Sequence, residues 1–395
     1  MLSYERRVKG IRRVVFMSFV FVFAGLQLAN ILLLKWGLKL QGRVMVVIAL
    51  AFVLFCVPLP YLSWLISHAR QPSFWTAALI VRPSFAWQFN WIAFLLFLEP
   101  VIVLARLANV ISGEALIVSA LRWLVAAVLV IGGIITLYGL ATAARPPAIT
   151  RLELKIPGLS GKDDGIRVMQ FTDPHWSWWT SDRETAKIAA MIKELNPDLL
   201  IITGDLVDQN PKYTNLIARH FADFEPRLGK YGIIGNHDVY TGREEVAELM
   251  ESCGVKMLRR GHVSLKDKGA DLVLAGMDDS GDGWTGPDPW ERHIPEIIAG
   301  CPKGMPIFWL GHRPSCFDKV IGLPVPLTLS GHTHGGQLRL PFNGPGLADI
   351  AFKHPMGFYE KNGQMLYVSR GTGTVGWPFR IGCPQEIALI TLRAP

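Results

Sequence analysis

Five short clusters hold most of the residues able to bind a metal ion or move a proton: Asp173-Pro174-His175, Gly204-Asp205, Gly235-Asn236-His237-Asp238, Gly311-His312 and Gly331-His332-Thr333-His334. Each follows an apolar, β-like run, which places its side chains at the carboxyl edge of a sheet, where α/β proteins build their sites. Carboxylate, imidazole and amide oxygen without any thiolate suit two adjacent divalent transition ions (Mn2+, Fe or Zn2+) bridged by a carboxylate, and argue against a structural zinc site. One Asp-x-His or Gly-His pair arises by chance in many chains; five in succession at strand ends do not. His68, His220, His262, His293 and His354 lack such a setting and read as ordinary surface or core residues.

The elements that must position these clusters begin with a βαβ unit: a strand over 166–171, a helix over 182–195 and a strand over 199–203. Ser181 with Glu184 three residues on has the form of a capping box, and Asn196-Pro197 ends the helix. Further strands are expected at 231–234, 272–275, 307–310, 327–329, 365–368 and 387–392. A helix over 244–253 is closed by Gly254.

Half of the 395 residues are apolar and 18% are charged, against roughly a quarter charged in soluble domains. That excludes disorder and an ordinary cytosolic globule. Residues 1–150 hold 13 Lys/Arg against 3 Asp/Glu, and residues 151–395 hold 27 against 29, so the net +8 belongs to the first part. A basic nucleic-acid binder would carry its excess on the folded domain, so no nucleic-acid partner is expected. Four apolar stretches, 14–34, 44–66, 85–105 and 123–144, meet the roughly 20-residue length of a bilayer-spanning helix. In the third, either Glu99 is functional, as acids within a span often are, or Pro100 kinks or ends the helix so that Glu99 reaches the interface or pairs with an Arg. With a cytoplasmic N-terminus, 11 flanking Lys/Arg fall on that side against 5 opposite, and an even number of spans returns the C-terminal domain to the cytoplasm. Five cysteines without paired spacing suggest neither a disulfide framework nor a zinc knuckle, and fit a reducing compartment. Arg145-Pro146-Pro147 opens a linker over 145–157, dividing a four-helix transmembrane region (1–144) from a catalytic domain (158–395).

Taken together, Asp173/His175, Asp205, Asn236/His237/Asp238, His312 and His332/His334 resemble the signature of the calcineurin-like metallophosphoesterase superfamily. Residues 329–337 with Leu340-Pro341, and Ser369-Arg370-Gly371 with 382–386, are similar to its bacterial branch of membrane-anchored or exported enzymes. The resemblance implies a four-helix transmembrane bundle followed by an α/β metallophosphoesterase domain, a β-sandwich flanked by helices. It implies one metal held by Asp173, His175, Asp205 and His334, and a second held by Asp205, Asn236, His312 and His332, with Asp205 as the bridge. Such a pair lowers the pKa of a bridging water, so that hydroxide attacks phosphorus near neutral pH, and neutralises the phosphoryl oxygens. His237 then protonates the leaving oxygen with Asp238 orienting its ring, and Asp208 fixes a supporting hydrogen bond.

For the substrate, Arg313 either pairs with a phosphate or is structural. Trp176, Trp178 and Trp179 either rim the site with an apolar, lipid-facing mouth or pack the domain. The function expected is a phosphoesterase of the bacterial cytoplasmic membrane, multi-pass, acting on a phosphoester or pyrophosphate of a membrane lipid or lipid-linked substrate. Similarity to the bacterial hydrolase that cleaves UDP-diacylglucosamine makes that compound a candidate. The alternatives are a soluble phosphodiester or phosphate substrate, with the helices only an anchor, and a non-enzymatic membrane sensor or scaffold. Against the latter, a structural metal site has no use for His237-Asp238.

Overall fold

Leu199–Ile202 is a run of four apolar residues, all buried, as expected of a strand covered on both faces. The computed structural model describes residues 73–84, 86–87, 99–112, 115–283, 285–340 and 344–395, with isolated positions between 25 and 46. The chain divides into two units, residues 1–141 with 377–379 and residues 142–376 with 380–395.

The second unit has twelve strands: β1 (Ala148–Lys155), β2 (Arg167–Phe171), β3 (Leu199–Ile202), β4 (Gly229–Gly232), β5 (Val255–Met257), β6 (Arg260–Ser264), β7 (Val273–Met277), β8 (Ile307–Gly311), β9 (Leu327–Ser330), β10 (Gly357–Lys361), β11 (Gln364–Val368) and β12 (Glu386–Arg393). They form two mixed six-stranded sheets, ordered β1-β12-β2-β3-β4-β5 and β10-β11-β9-β8-β7-β6. One apolar core joins them, with Val168, Leu199 and Ile201 from the first sheet packed with Phe308, Leu310 and Leu329 from the second. Full burial of each such side chain contributes about 1.5–3 kcal/mol. Strands β2, β3 and β4 run parallel, as do β7, β8, β9 and β11. The carboxyl ends of each parallel set therefore open toward one edge, and the chemistry-bearing loops leave from there.

In the first unit, helix α1 (Glu99–Ser112) and helix α2 (Ala115–Ala143) are described. Within α2, Arg122–Ala143 is 22 residues long and apolar enough to cross a membrane, and it is the one such helix among the described residues. It matches the fourth expected span. The first two expected spans lie outside the described residues apart from isolated positions. The third is described only at 86–87 and from 99 onward, where Glu99 and Pro100 lie in α1.

In the second unit, α3 (Asp182–Leu195) has the expected bounds and capping box, with Ser181 Oγ accepting from Glu184 N and Glu184 Oε2 accepting from Ser181 N. Helix α4 (Asn236–Ser252) starts eight residues earlier than expected and is broken at Gly242, whose φ of 145° no other residue adopts at ease. The expected linker over 145–157 is mostly strand. Residues 148–155 pair with β12 along their whole length, and Thr150 Oγ1 donates to Glu386 at 2.7 Å. The sheet of the second unit thus starts at residue 148 rather than after 157, because the alternation after Pro147 finds a partner more than 230 residues away. Strands β5, β6 and β10 were not expected; each is short and lies at or next to a sheet edge.

Candidate metal centre

Asp173 and His175 follow β2, Asp205 follows β3, Asn236 and His237 open α4 after β4, His312 follows β8, and His332 and His334 follow β9. The two sheets bring these loops together. His312 Nδ1 lies 2.8 Å from the carbonyl oxygen of Thr203, and Gln170 Nε2 donates to the carbonyl oxygen of Ser330 at 2.9 Å. A carbonyl only accepts, so Nδ1 of His312 carries the proton and Nε2 is the nitrogen turned toward Asp205.

The approach is close enough to require glycine. A Cβ on Gly331 would meet the Asp173 carboxylate and Thr172 Oγ1, and one on Gly235 would meet the Asp205 carboxylate and amide. Asp173, His175, Asp205, His332 and His334 all have φ between 44° and 72°. For non-glycine residues this conformation is costly, and such outliers gather at functional sites.

Two groups of donors result. Asp173, His175 and His334 form one, with His334 Nε2 2.9 Å from His175 Nε2 and 3.7 Å from Asp173 Oδ1. Asp205, His312 and His332 form the other, with His312 Nε2 3.1 Å from Asp205 Oδ2 and 3.2 Å from His332 Nδ1. Asn236 Oδ1 joins the second group, 3.1 Å from His312 Nε2 and 2.9 Å from His332 Nδ1. Asp205 stands between the groups, its Oδ2 also 3.5 Å from His175 Nε2. Imidazole nitrogens turned toward one another beside buried carboxylates form an arrangement a cation satisfies, and nitrogen and oxygen donors without sulfur fit borderline divalent ions.

The family profile described as Calcineurin-like phosphoesterase matches residues 166–336. The chain is 32% identical over 265 residues to the uncharacterized metallophosphoesterase YkuE of Bacillus subtilis, covering 65% of this chain and 90% of that one. The chain belongs to the calcineurin-like metallophosphoesterases. It is also 32% identical over 272 residues to a zebrafish (Danio rerio) transmembrane protein with a metallophosphoesterase domain, covering 67% of this chain and 62% of that one, so its relatives are both bacterial and eukaryotic. A more distant relative, 24% identical over 300 residues, is the UDP-2,3-diacylglucosamine pyrophosphatase LpxG of Chlamydia muridarum, with 61% of this chain and 88% of that one covered.

As a member of this family the chain is a metal-dependent phosphoester hydrolase using two divalent metals, for which the two donor groups are suited. Beside them, His237 is the exposed member of the cluster, its side chain 25% accessible. Burial lowers its pKa, but the Asp205 and Asp208 charges outweigh this and raise it to about 9. Burial likewise opposes protonation of His312, and Asp205 overrides it to give about 10. Asp208 Oδ1 lies 2.6 Å from His237 Nδ1 and 3.0 Å from His175 Nδ1. Burial raises the Asp208 pKa, and the two imidazoles pull it far below the usual carboxylate range.

One expectation needs correction, and two open alternatives are narrowed to their structural reading. Asp238 does not orient the His237 ring; it accepts from the main-chain N–H groups of Leu206, Val207 and Gly235, fastening the loop after Asp205 to the start of α4. Adjacent residues on a helix project about 100° apart, and the ring is met by Asp208 from another loop. Arg313 does not face the site. Its Nε and Nη2 donate to both carboxylate oxygens of Asp279 at 2.6 and 2.8 Å, and Nη1 donates to the carbonyl oxygen of Gly286, all in a pocket that leaves Arg313 buried. Trp176, Trp178 and Trp179 do not form an open rim. All three are buried, Trp176 against Phe171 and Trp178 against Trp179. The residue the sequence did not reveal is Arg380, whose Nη2 lies 2.9 Å from His334 Nδ1. It sits 46 residues beyond His334, in a Gly/Pro-rich stretch with no local signal.

Proposed function

We propose that the chain is a membrane-bound dimetal phosphoesterase hydrolysing a phosphoester or pyrophosphate bond of a lipid or lipid-linked substrate. The observation that carries the hydrolytic part is Asp205 standing between two His/Asp groups with His237 alongside, its Nδ1 2.6 Å from Asp208 Oδ1. In this reading Asp173, His175, Asp205 and His334 hold one ion, and Asp205, Asn236, His312 and His332 hold the other. The ions supply a nucleophile at neutral pH and offset charge on the phosphoryl oxygens.

The protein's own groups do the rest. Asp205 accepts from His237 N at 2.8 Å, which ties the start of α4, and with it the His237 ring, to the carboxylate that would be shared by the two ions. The proton on the outer nitrogen of His237 is available to the leaving oxygen, while Asp208 keeps the ring turned and cationic. A non-catalytic sensor or scaffold would need neither group.

The lipid-linked substrate rests on the 22-residue apolar helix ending five residues before β1 and on the likeness to LpxG. With the three tryptophans buried, an aromatic rim adds nothing to it. Full-length protein in nanodiscs with Mn2+ should hydrolyse a diacylated nucleotide-sugar pyrophosphate with a kcat/KM at least tenfold above that for its deacylated analogue. Equal values would favour a soluble substrate, with the membrane segment only an anchor. The cytoplasmic placement of the domain, argued from the flanking Lys/Arg, predicts protection from protease added outside intact spheroplasts.

A further inference from the structure

Arg380 is fully buried, and among the described residues its hydrogen bonds go to main-chain oxygens and an imidazole rather than to a carboxylate. Its guanidinium instead faces main-chain oxygens: Nε and Nη2 donate to Gly373 at 3.0 and 2.5 Å, Nη2 to Arg370 at 2.7 Å, and Nη1 to Cys383 at 3.3 Å and to His334 at 3.4 Å. The same fork reaches His334 Nδ1 at 2.9 Å.

We infer that Arg380 is the positioning residue of His334, fixing the strained backbone from which that side chain reaches a metal. This rests on the reading of His334 as a metal ligand. The ring turns Nε2 toward His175 and Asp173. The backbone that aims it needs holding, because His334 at φ 52°, Gly335 at φ 58° and Gly336 at φ 79° form a left-handed stretch. The His334 carbonyl that this stretch turns inward receives Arg380 Nη1, the Cys383 thiol and the Gln337 N–H. The arginine thereby ties the loop after β9 to the loop that follows β11. Lysine, a point charge with three donors, cannot span these acceptors.

Metal-supporting contacts of this kind typically change metal affinity 10–100-fold. The test uses the full chain in detergent, stripped with chelator and titrated with Mn2+, with metal stoichiometry and Kd as readouts and circular dichroism as the check on folding. Relative to wild type, His334→Ala should weaken one of the two sites, and Arg380→Ala should weaken the same site about 10–100-fold. The double variant should be no weaker than His334→Ala alone, because the arginine acts through the placement of that ligand. Free guanidinium ion, which fits the space vacated in Arg380→Ala, should restore part of the affinity, and Arg380→Lys should restore little. Wild-type affinity in Arg380→Ala, or a double variant weaker than His334→Ala by the full Arg380 factor, would overturn the inference. So would loss of folding in both Arg380→Ala and Arg380→Lys, which would assign the residue to the fold. If His334→Ala itself keeps both sites at full affinity, the ligand reading fails first and the two failures are told apart.

Discussion

His237 turns its ring on the carboxylate of Asp208, with Nδ1 2.6 Å from Oδ1, and the same oxygen lies 3.0 Å from His175 Nδ1. One buried carboxylate therefore serves the proposed proton donor and a residue of the donor cluster at once. Asp208→Asn keeps an acceptor oxygen but removes the charge that raises the His237 pKa. It is expected to lower kcat by about 10²-fold or more with KM little changed, within the span set by general acid catalysis. Steady-state kinetics with matched metal loading decides this; an unchanged kcat would assign the charge on His237 to Asp205 alone.

His237→Ala should show its role through the leaving group. An aryl phosphoester expels a weakly basic phenolate that needs little protonation, whereas an alkyl or sugar phosphoester expels a strongly basic alkoxide. The variant is expected to lose about 10²- to 10⁴-fold on the alkyl substrate and much less on the aryl one. Equal losses on both would give His237 a binding role instead.

Gly331→Ala tests the close packing of the two sheets at the site. The added methyl meets the Asp173 carboxylate and Thr172 Oγ1, in a backbone that alanine itself could adopt. Overpacking of this kind costs about 1–3 kcal/mol, and here it falls on a carboxylate of the donor cluster. The variant should fold with a lowered Tm and bind less metal than wild type, as measured by elemental analysis after gel filtration. Full metal content would mean that Asp173 moves aside without consequence.

How far such details can be read in a sequence depends on how local their causes are. The helix 182–195 was legible to the residue because both of its ends are written locally, in Ser181/Glu184 and Asn196-Pro197. The donor clusters were legible because each sits just beyond an apolar run. The partner of His237 was not, since Asp238 is adjacent in sequence while Asp208 arrives from another loop 29 residues away. Arg313 beside His312 invited a substrate contact, and only the fold shows Asp279 closing on it. Strand β1 was hidden for the same reason: Pro146-Pro147 speaks for a linker locally, and the pairing that makes 148–155 a strand comes from the far end of the chain.

Metal removal exposes the charge balance of the cluster. In metal-free protein the His237 pKa stands at about 9, above its ordinary 6.5, because the acids outweigh burial. A group whose folded-state pKa is raised adds stability below its unfolded value and loses that contribution as pH rises through the folded one. The shift corresponds to about 3 kcal/mol, shared with Asp205 and Asp208. The Tm of chelator-treated protein should therefore fall between pH 6.5 and 9, and NMR of the His237 ring should titrate near the upper end. Metal loading should bring that titration down, because cations beside Asp205 replace the proton as its counter-charge. A His237 value near 6.5 in metal-free protein would contradict this balance.

Arg313 and Asp279 make a separate prediction, since together they form a buried bidentate pair a step away from the chemistry. The guanidinium is held at 2.6 and 2.8 Å by both oxygens of Asp279, and its remaining donors reach the carbonyl oxygens of Gly286 and Gly283. Removing one partner leaves the other charge buried and uncompensated, which costs about 3–5 kcal/mol. Arg313→Met and Asp279→Asn should each lower stability by about that amount in urea denaturation, and the double variant should be markedly less unstable than the sum of the two. KM for a phosphoester should stay close to wild type wherever enough folded protein remains. A tenfold rise in KM for Arg313→Met with unchanged stability would reverse the assignment, since it would mean that the guanidinium leaves Asp279 to meet a phosphate when substrate enters.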